Sequence, residues 1–465
     1  MRGPPASVGI QALDDSLLLR IMSNLDLTER LAGPALVCRN WFQLCMSRNL
    51  LQDLTVSLAD NPASTLPRLR SLLVWLLRHA AAPRSVTLRL WHGDAAAAAP
   101  PQSGESAAEV VALLNSCATA CASAERLTIV HSAHYIPNGW VVAQRGLREV
   151  RLRSRTRLHL LTTWEALEAL QSLELTASAI VLAPGAALPA SLTALTLAGD
   201  RGPHLPHQVG DLSNLRSLQL RGVTYDAGGF EVLRRLSSLQ QLQLDRCRLP
   251  ACLPALGSIR SLQLSGCTAG QGGEGELAAG VAAALRRLSQ LTALALVQLP
   301  PVACRTASMV ALRQLQSLTV LPCSNADGSS STGGCRIAPL PSGMPPPPWP
   351  PGLRCLTAPF ALVTASLAWL STAHRLSQLR LTDCPSASGI APAKWLAFFS
   401  WAEAHAPLVR LEFAAAPPQH AALLGKACAR LAAKRPRLHL VARPPGQLPA
   451  LAPQPGSFTH AANKA

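Results

Sequence analysis

The sequence predicts an α/β solenoid, in which short repeats each add one strand to a parallel sheet. The first observation is a six-residue pattern, Leu-x-x-Leu-x-Leu, that recurs along most of the chain. The second is its spacing, because the middle positions of consecutive copies fall at 127, 150, 173, 195, 218 and 242, 22 to 24 residues apart. The third is composition: 49% of the residues are hydrophobic but only 4% are aromatic, which favours an aliphatic core.

Each strand is predicted from the leucine pattern itself. Side chains alternate along a strand, so the leucines of one copy fall on one face. Clear copies are centred on Val150, Leu173, Leu195, Leu218, Leu242, Leu262, Leu294, Leu318, Leu379 and Leu411. With the degenerate copies included, we expect about 15 units. This period is typical of leucine-rich repeats, which form a horseshoe with a concave parallel sheet and a convex side that carries helices.

The solenoid is predicted to span residues 51–441. In its later part the spacing lengthens, and apolar residues at intervals of three and four predict helices on the convex side. These helices are expected at 274–288, 306–316, 359–373, 391–405 and 420–434. A Pro-, Gly- and Ser-rich insertion near 324–351 is expected to be a stiff loop, with a polyproline ligand as the alternative. Residues 442–465 are expected to be a disordered tail.

Residues 1–50 are predicted to form a separate helical domain. Leu13, Leu17, Ile21 and Leu25 recur every four residues and so form one stripe along a short helix. A second short helix is expected before the Gly33-Pro34 pair and a third after it. A segment of this size cannot bury all of its apolar side chains, which favours docking onto another protein.

This segment resembles the F-box family. The leucine stripe followed by Val37-Cys38-Arg39-x-Trp41 matches the family pattern. The resemblance implies a non-enzymatic substrate receptor that binds a Skp-type adaptor and, through it, a cullin-RING ubiquitin ligase. The adaptor-binding residues that it implies are Leu13, Leu17, Ile21, Leu25, Val37, Cys38 and Trp41. The alternative is a non-ligase repeat scaffold, cytoskeletal or ciliary, whose first residues only cap the solenoid.

The target is expected to bind the concave face, which carries the residues between the leucines. The candidate target-binding residues are Arg89, Arg126, Arg151, Arg153, Gln219, Arg221, Gln241, Gln243, Gln263, Arg380 and Arg410. This mildly basic surface suggests an acidic or phosphorylated protein. Nucleic acid is the less favoured partner despite the net charge of +17, because aromatic stacking residues are nearly absent from these positions, Trp91 excepted.

Cysteine usage indicates a reducing compartment, the cytoplasm or the nucleus. There are 13 cysteines, and no signal peptide or membrane span is apparent. Cys247, Cys267, Cys323 and Cys384 each follow the last leucine of a copy by three residues, where leucine-rich repeats bury a side chain against the turning backbone.

No metal site, cofactor or catalytic set is predicted. Cys117 and Cys121, with His131 and His134, are spaced more closely than the ligands of a common zinc finger, which favours buried thiols. The glycine-rich run at 270–275 lacks the lysine of a phosphate loop.

Overall fold

The computed structural model describes 20 stretches of the chain and divides it into two compact units, residues 1–250 and 251–465. The described stretches are 13–59, 62–79, 83–91, 109, 112–114, 116–117, 119–121, 123–131, 144–155, 157–160, 164–183, 185–199, 205–223, 227–249, 256–269, 274–299, 312–321, 349–382, 392–414 and 418–443.

The first unit begins with short helices that precede its sheet. In chain order the helices with defined bounds in its described residues are α1 (Asp15–Met22), α2 (Leu27–Ala32), a 3-10 helix (Pro34–Leu36), α3 (Arg39–Cys45), α4 (Arg48–Gln52), α5 (Pro62–His79), a second 3-10 helix (His207–Asp211) and α6 (Ala227–Arg235). Its strands are β1 (Asp53–Ala59), β2 (Ser85–Trp91), β3 (Arg126–His131), β4 (Glu149–Ser154), β5 (Arg157–Leu160), β6 (Ser172–Ala177), β7 (Ala179–Leu182), β8 (Ala194–Gly199), β9 (Ser217–Arg221), β10 (Gln241–Asp245) and β11 (Arg248–Leu249).

Eight of these strands form one parallel sheet in chain order, β1-β2-β3-β4-β6-β8-β9-β10. The register joins equivalent positions of consecutive repeats: Val150 pairs with Leu173, and Leu173 with Leu195. Each of these three side chains is at most 1% exposed. The predicted parallel sheet with one strand per repeat is therefore confirmed in this unit. The strands β5 and β7 form a separate parallel pair.

The second unit repeats this arrangement of one parallel strand from each repeat. Its strands are β12 (Ser261–Ser265), β13 (Thr268–Ala269), β14 (Ala293–Val297), β15 (Ser317–Leu321), β16 (Cys355–Ala358), β17 (Gln378–Leu381), β18 (Arg410–Ala414) and β19 (His439–Arg443). All but β13 form a parallel sheet in chain order. Its helices are α7 (Glu274–Arg287), α8 (Phe360–Ala365), α9 (Leu367–Leu370), α10 (Pro392–Ala404) and α11 (Pro418–Lys434).

Four of the five helices predicted for this unit correspond to helices of the structure, and the helix expected at 306–316 is not found in its described part. The helix expected at 359–373 is divided into α8 and α9, and residues 312–316 are not helical. The helices expected near 274, 391 and 420 correspond to α7, α10 and α11. Residues 306–311, the insertion up to residue 348 and the tail beyond residue 443 lie outside the described residues.

The core of the second unit is not purely aliphatic, which corrects the expectation from composition. Phe360 stacks on Trp395, with ring centroids 3.8 Å apart, and meets Phe398 edge to face. Phe398 also contacts Phe399 and Trp401. A low aromatic fraction over the whole chain did not reveal that several aromatic side chains gather around one helix, α10.

Two of the four cysteines at the turn position are described, and both are buried as predicted. The Sγ atom of Cys247 lies 3.4 Å from the carbonyl oxygens of Leu220 and Asp245. The Sγ atom of Cys267 lies 3.5 Å from the carbonyl oxygen of Ser265. These thiols donate weakly to backbone that turns away from the sheet, so their role is structural.

Candidate functional site

Of the N-terminal helices, α2 begins at a polar residue whose side chain satisfies a free backbone N–H group. Asp26 accepts a hydrogen bond from the Glu29 backbone at 2.8 Å, and Glu29 accepts one from the Asp26 backbone at 2.9 Å. This reciprocal capping box fixes the start of α2. The side chain of Asn40 donates to Asp15 over 3.3 Å and so links α3 to α1.

The same helices enclose a small core of their own. Met22, Ala35, Cys45 and Leu50 are buried together, and Trp41 packs against them. The helices α2 and α4 also contact β1. This segment therefore covers the start of the first sheet, as a cap would.

A second set of apolar side chains in this segment faces solvent. Five of the ten exposed large apolar residues in the described part of the chain fall between residues 17 and 42. This exposed apolar set consists of Leu17 (48% exposed), Ile21 (47%), Leu36 (77%), Val37 (54%) and Phe42 (45%). It is carried by α1, the first 3-10 helix and α3, and α3 contacts both of the others. Contact with β1 does not explain why these side chains are apolar, because they remain outside the core.

Some of the predicted adaptor-binding residues are exposed, and the others are half-buried. Leu17, Ile21, Val37 and Cys38 are exposed, and Leu13 and Leu25 are half-buried. Trp41 is also half-buried, against the inner core. Leu36 and Phe42, which the adaptor prediction left out, are exposed beside them. Helical spacing alone could not find these two, because the chain turns at Gly33-Pro34 before α3 begins.

On most strands the residues between the leucines form the more exposed side of the sheet, which we call the open face. Within the first unit its predicted target-binding residues are Arg89, Arg126, Arg151, Arg153, Gln219, Arg221, Gln241 and Gln243. Gln219 is exposed, while Gln241 and Gln243 are half-buried on the adjacent strand, where Gln243 pairs with Gln219. Gln263 is half-buried at the corresponding position of β12 in the second unit.

Most of the arginines on the open face of the first unit are already paired with carboxylates. Arg153 contacts Glu174 at 2.8 Å. Arg151 contacts Glu149 at 2.6 Å and lies 3.6 Å from Glu174. The other pairs join Arg126 to Asp53 (3.1 Å) and Arg221 to Asp245 (3.2 Å). Arg89 is exposed, and no ion pair joins it to another described residue.

The open face of the second unit has one buried carboxylate between two arginines. Arg380 and Arg410 each donate to Glu412 over 2.6 Å, and the Glu412 side chain is 6% exposed. Burial alone would raise the pKa of Glu412. The hydrogen bonds and charges of Arg380 and Arg410 outweigh burial and hold the pKa below its usual value. Glu412 is therefore an anion at neutral pH.

This pairing changes the predicted character of the open face. The sequence suggested a mildly basic surface, but six of the seven predicted arginines are paired with carboxylates, Arg380 and Arg410 sharing Glu412. A ligand must compete with these internal pairs for the guanidinium groups. Uncharged hydrogen-bonding groups, such as the Gln219 amide, are free of that competition.

Cys117 and Cys121, whose spacing comes nearest to that of metal ligands, are poorly suited to binding zinc. Burial is the main cause that raises the pKa values of Cys117 and Cys121 to about 12. Zinc binds the thiolate, which is disfavoured at both positions. Across the described residues, no cluster of three or more His, Cys, Asp or Glu side chains could hold a metal ion. No helix in the described part of the chain is long and apolar enough to cross a membrane.

Comparison with known proteins gives only weak likeness. No family model and no curated protein matches the chain. Among solved structures, a leucine-rich-repeat protein of Leptospira interrogans is 14% identical with a TM-score of 0.30, covering 77% of this chain and 89% of that one. An internalin of Listeria monocytogenes is 11% identical with a TM-score of 0.30, covering 57% and 72%. A plant peptide hormone receptor in complex with its peptide is 11% identical with a TM-score of 0.28, covering 78% and 67%.

The class of the fold therefore rests on the molecule itself. Repeats of 22 to 24 residues, a parallel sheet with one strand from each repeat, and a buried ladder of leucines define a fold of the leucine-rich-repeat type.

Proposed function

We propose that this chain is the substrate-recognition subunit of a Skp–cullin–F-box ubiquitin ligase. The N-terminal helices act as an F-box that binds a Skp-type adaptor, and the open face of the repeats binds the target protein. The observation that carries the proposal is the exposed apolar set, which occurs in the segment that also contains Val37-Cys38-Arg39-x-Trp41.

The exposed apolar set is suited to an interface because clustered apolar side chains are unusual on a monomer. Each large apolar side chain that becomes fully buried contributes about 1.5–3 kcal/mol. The inner core supplies the support that such an interface needs, since Met22 is buried in it and Trp41 packs against it.

The proposed target binds the open face through hydrogen bonds and through ion pairs with arginines that now pair with internal carboxylates. Arg153 and Arg221 are suitable contacts, since their side chains are 51% and 55% exposed although each is paired. An acidic or phosphorylated side chain could bind these guanidinium groups in place of the internal carboxylates. Because the charges are compensated, nucleic acid is disfavoured as a ligand.

The chain supplies no chemistry of its own under this proposal. It raises the effective concentration of a target lysine near the conjugating enzyme, whose thioester carries ubiquitin. The corresponding location is the cytoplasm, the nucleus or both.

Co-purification with a Skp-type adaptor tests the proposal. Full-length chain is expected to retain the adaptor, and Ile21→Asp and Leu36→Asp are each expected to weaken binding by about tenfold or more, as for other interface anchors. Val409→Asp is the matched control, because Val409 is similarly exposed (49%) but lies in the second unit. Folded wild-type chain that fails to retain the adaptor would refute the ligase role.

The second candidate is a repeat scaffold, cytoskeletal or ciliary, in which the N-terminal helices only cover β1. The contacts of α2 and α4 with β1 favour it. A scaffold of this kind would bind its partner through the open face, so Ile21→Asp would leave partner binding unchanged. If wild-type chain captures a protein that Ile21→Asp does not, the result favours the ligase function over the scaffold.

A further inference from the structure

One carboxylate on the open face of the second unit pairs with two arginines. Arg380 and Arg410 donate from Nε to different oxygens of Glu412, each over 2.6 Å. In the first unit the four paired arginines of the open face have four carboxylate partners, Asp53, Glu149, Glu174 and Asp245. The Arg380–Glu412–Arg410 group therefore differs from those pairs, because it keeps one positive charge in excess.

The terminal nitrogens of these two arginines are not used by the pairing. Only the Nε atom of each donates to Glu412, and neither arginine makes another hydrogen bond or ion pair with a described residue. Arg153, in contrast, donates both Nε and an Nη group to Glu174. The Arg410 side chain is 48% exposed, while that of Glu412 is 6% exposed. An anion can therefore bind the Nη groups of Arg410 without displacing the internal carboxylate.

Two further polar side chains lie beside Arg410. In the register of the sheet, Arg410 of β18 pairs with Gln378 of β17 and with His439 of β19. Neighbouring strands are about 4.8 Å apart. Leu379 and Leu411 are at most 1% exposed, so the residues before them, Gln378 and Arg410, point to the open face. Gln378, Arg410 and His439 are all exposed, and they present an amide, a guanidinium and an imidazole side by side.

We propose that the row Gln378–Arg410–His439 binds a phosphorylated side chain of the target protein, an inference that rests on the proposed function for the identity of this partner. A phosphoryl group carries more than one negative charge and three strong acceptor oxygens. It can accept from the two Nη groups of Arg410 and from a neighbouring donor at the same time. A carboxylate has a single charge and two oxygens, and a nucleic-acid phosphodiester has a single charge and two free oxygens, so each of them satisfies fewer of these donors.

Isothermal titration calorimetry of the full chain tests this inference in the absence of an adaptor. The probes are blocked Ala-Ala-X-Ala-Ala peptides in which X is phosphoserine, aspartate or serine. We expect the phosphoserine peptide to bind at least about tenfold more tightly than the aspartate peptide, and the serine peptide to show no measurable binding. Equal or tighter binding of the aspartate peptide, or of a thymidine pentanucleotide, would overturn the inference.

Variants of the protein locate the binding site. Arg410→Gln is expected to weaken binding of the phosphoserine peptide by about tenfold or more, because charge-assisted hydrogen bonds are lost. Arg410→Lys keeps a charged partner for Glu412 but lacks the planar fork, so it should also weaken binding, by about threefold or more. Gln378→Met, which removes the amide at similar size, should have an effect of about threefold.

The matched control is Arg89→Gln. Arg89 is another exposed arginine of the open face, and no ion pair joins it to a described residue, so this variant removes the same charge elsewhere. It should change binding by less than about twofold. Equal weakening by Arg89→Gln and Arg410→Gln would show a general attraction to a basic chain and would overturn the inference.

The result can be separated from that of the ligase proposal. A chain that binds the phosphoserine peptide through Arg410 but does not retain a Skp-type adaptor supports this site and refutes the ligase role. A chain that retains the adaptor but does not bind the phosphoserine peptide overturns this inference alone.

Discussion

Arg30 donates a hydrogen bond from Nη1 to the carbonyl oxygen of Leu50, over 3.1 Å, at a position where only 2% of Arg30 is exposed. Leu50 lies on α4, immediately before β1, so this bond fastens α2 to the start of the first sheet. It therefore holds the N-terminal segment against the strand that it covers.

Replacing Arg30 should loosen this segment. Arg30→Met keeps most of the apolar length but leaves the Leu50 carbonyl without its charged donor, so we expect the segment to lose about 1.5–3 kcal/mol of stability. Hydrogen exchange of the α2 and α4 amides measures this loss. Arg20→Met, at an exposed site of α1, is the control and should change little. Equal exchange in both variants would show that the Arg30 bond is dispensable.

Glu412 should make the second unit sensitive to acid. Its pKa is lower in the folded chain than the ordinary value of 4.5 because Arg380 and Arg410 outweigh burial. Such a carboxyl adds stability above its unfolded pKa, and this contribution is lost as the pH falls through the folded value. Glu412→Gln should therefore be less stable than wild type at neutral pH, and it should lose less stability as the pH falls below 4.5.

Urea unfolding followed across that pH range measures the effect. The control is Glu168→Gln, which changes an exposed carboxylate of the first unit. If the free energy of unfolding depends on pH in the same way for wild type and Glu412→Gln, the Arg380–Glu412–Arg410 group does not contribute to that dependence.

The aromatic cluster around α10 should dominate the stability of that helix. Phe398 is fully buried between Phe360, Phe399 and Trp401, and truncating such a side chain costs about 3–5 kcal/mol. Phe398→Ala should lower the unfolding midpoint accordingly. Leu396→Ala, on the same helix but 59% exposed, is the matched control and should stay within about 0.5 kcal/mol of wild type. Similar losses in both variants would contradict the assigned helix face.

Lysine placement restricts self-modification under the proposed ligase function. The only lysines are Lys394, Lys426, Lys434 and Lys464. Lys394, Lys426 and Lys434 are all exposed, but Lys434 also pairs with Glu403. We expect slow self-ubiquitylation, confined to the C-terminal half, with Lys394 and Lys426 modified before Lys434. Mass spectrometry of a reconstituted ligase measures the order, and rapid modification of Lys434 or efficient modification outside that half would be inconsistent with it.

Much of the fold follows from the sequence because a repeat period predicts register as well as strands. A period of 22 to 24 residues places Glu174 beside Arg151, and the strands pair them in that way. The ion pair between Arg151 and Glu174 could therefore have been found by adding one repeat length. The sequence places Glu149, Glu174, Asp245 and Glu412 among these arginines, but it does not show which side chains pair.

Other features depend on packing that periodicity does not encode. The turn at Gly33-Pro34 redirects the chain, so the exposure of Leu36 and Phe42 follows from tertiary structure. The stacking of Trp401 on His405 likewise brings two rings together at a helix end that the leucine pattern does not describe.

Hydrogen–deuterium exchange of the full chain with and without a Skp-type adaptor tests the central claim most directly. The account predicts that the adaptor slows exchange in the amides of residues 15–45, which contain the exposed apolar set, and leaves the strands of the second unit unchanged. Protection that appears only on the strands, or nowhere in the chain, would contradict the assignment of this segment as the adaptor-binding surface.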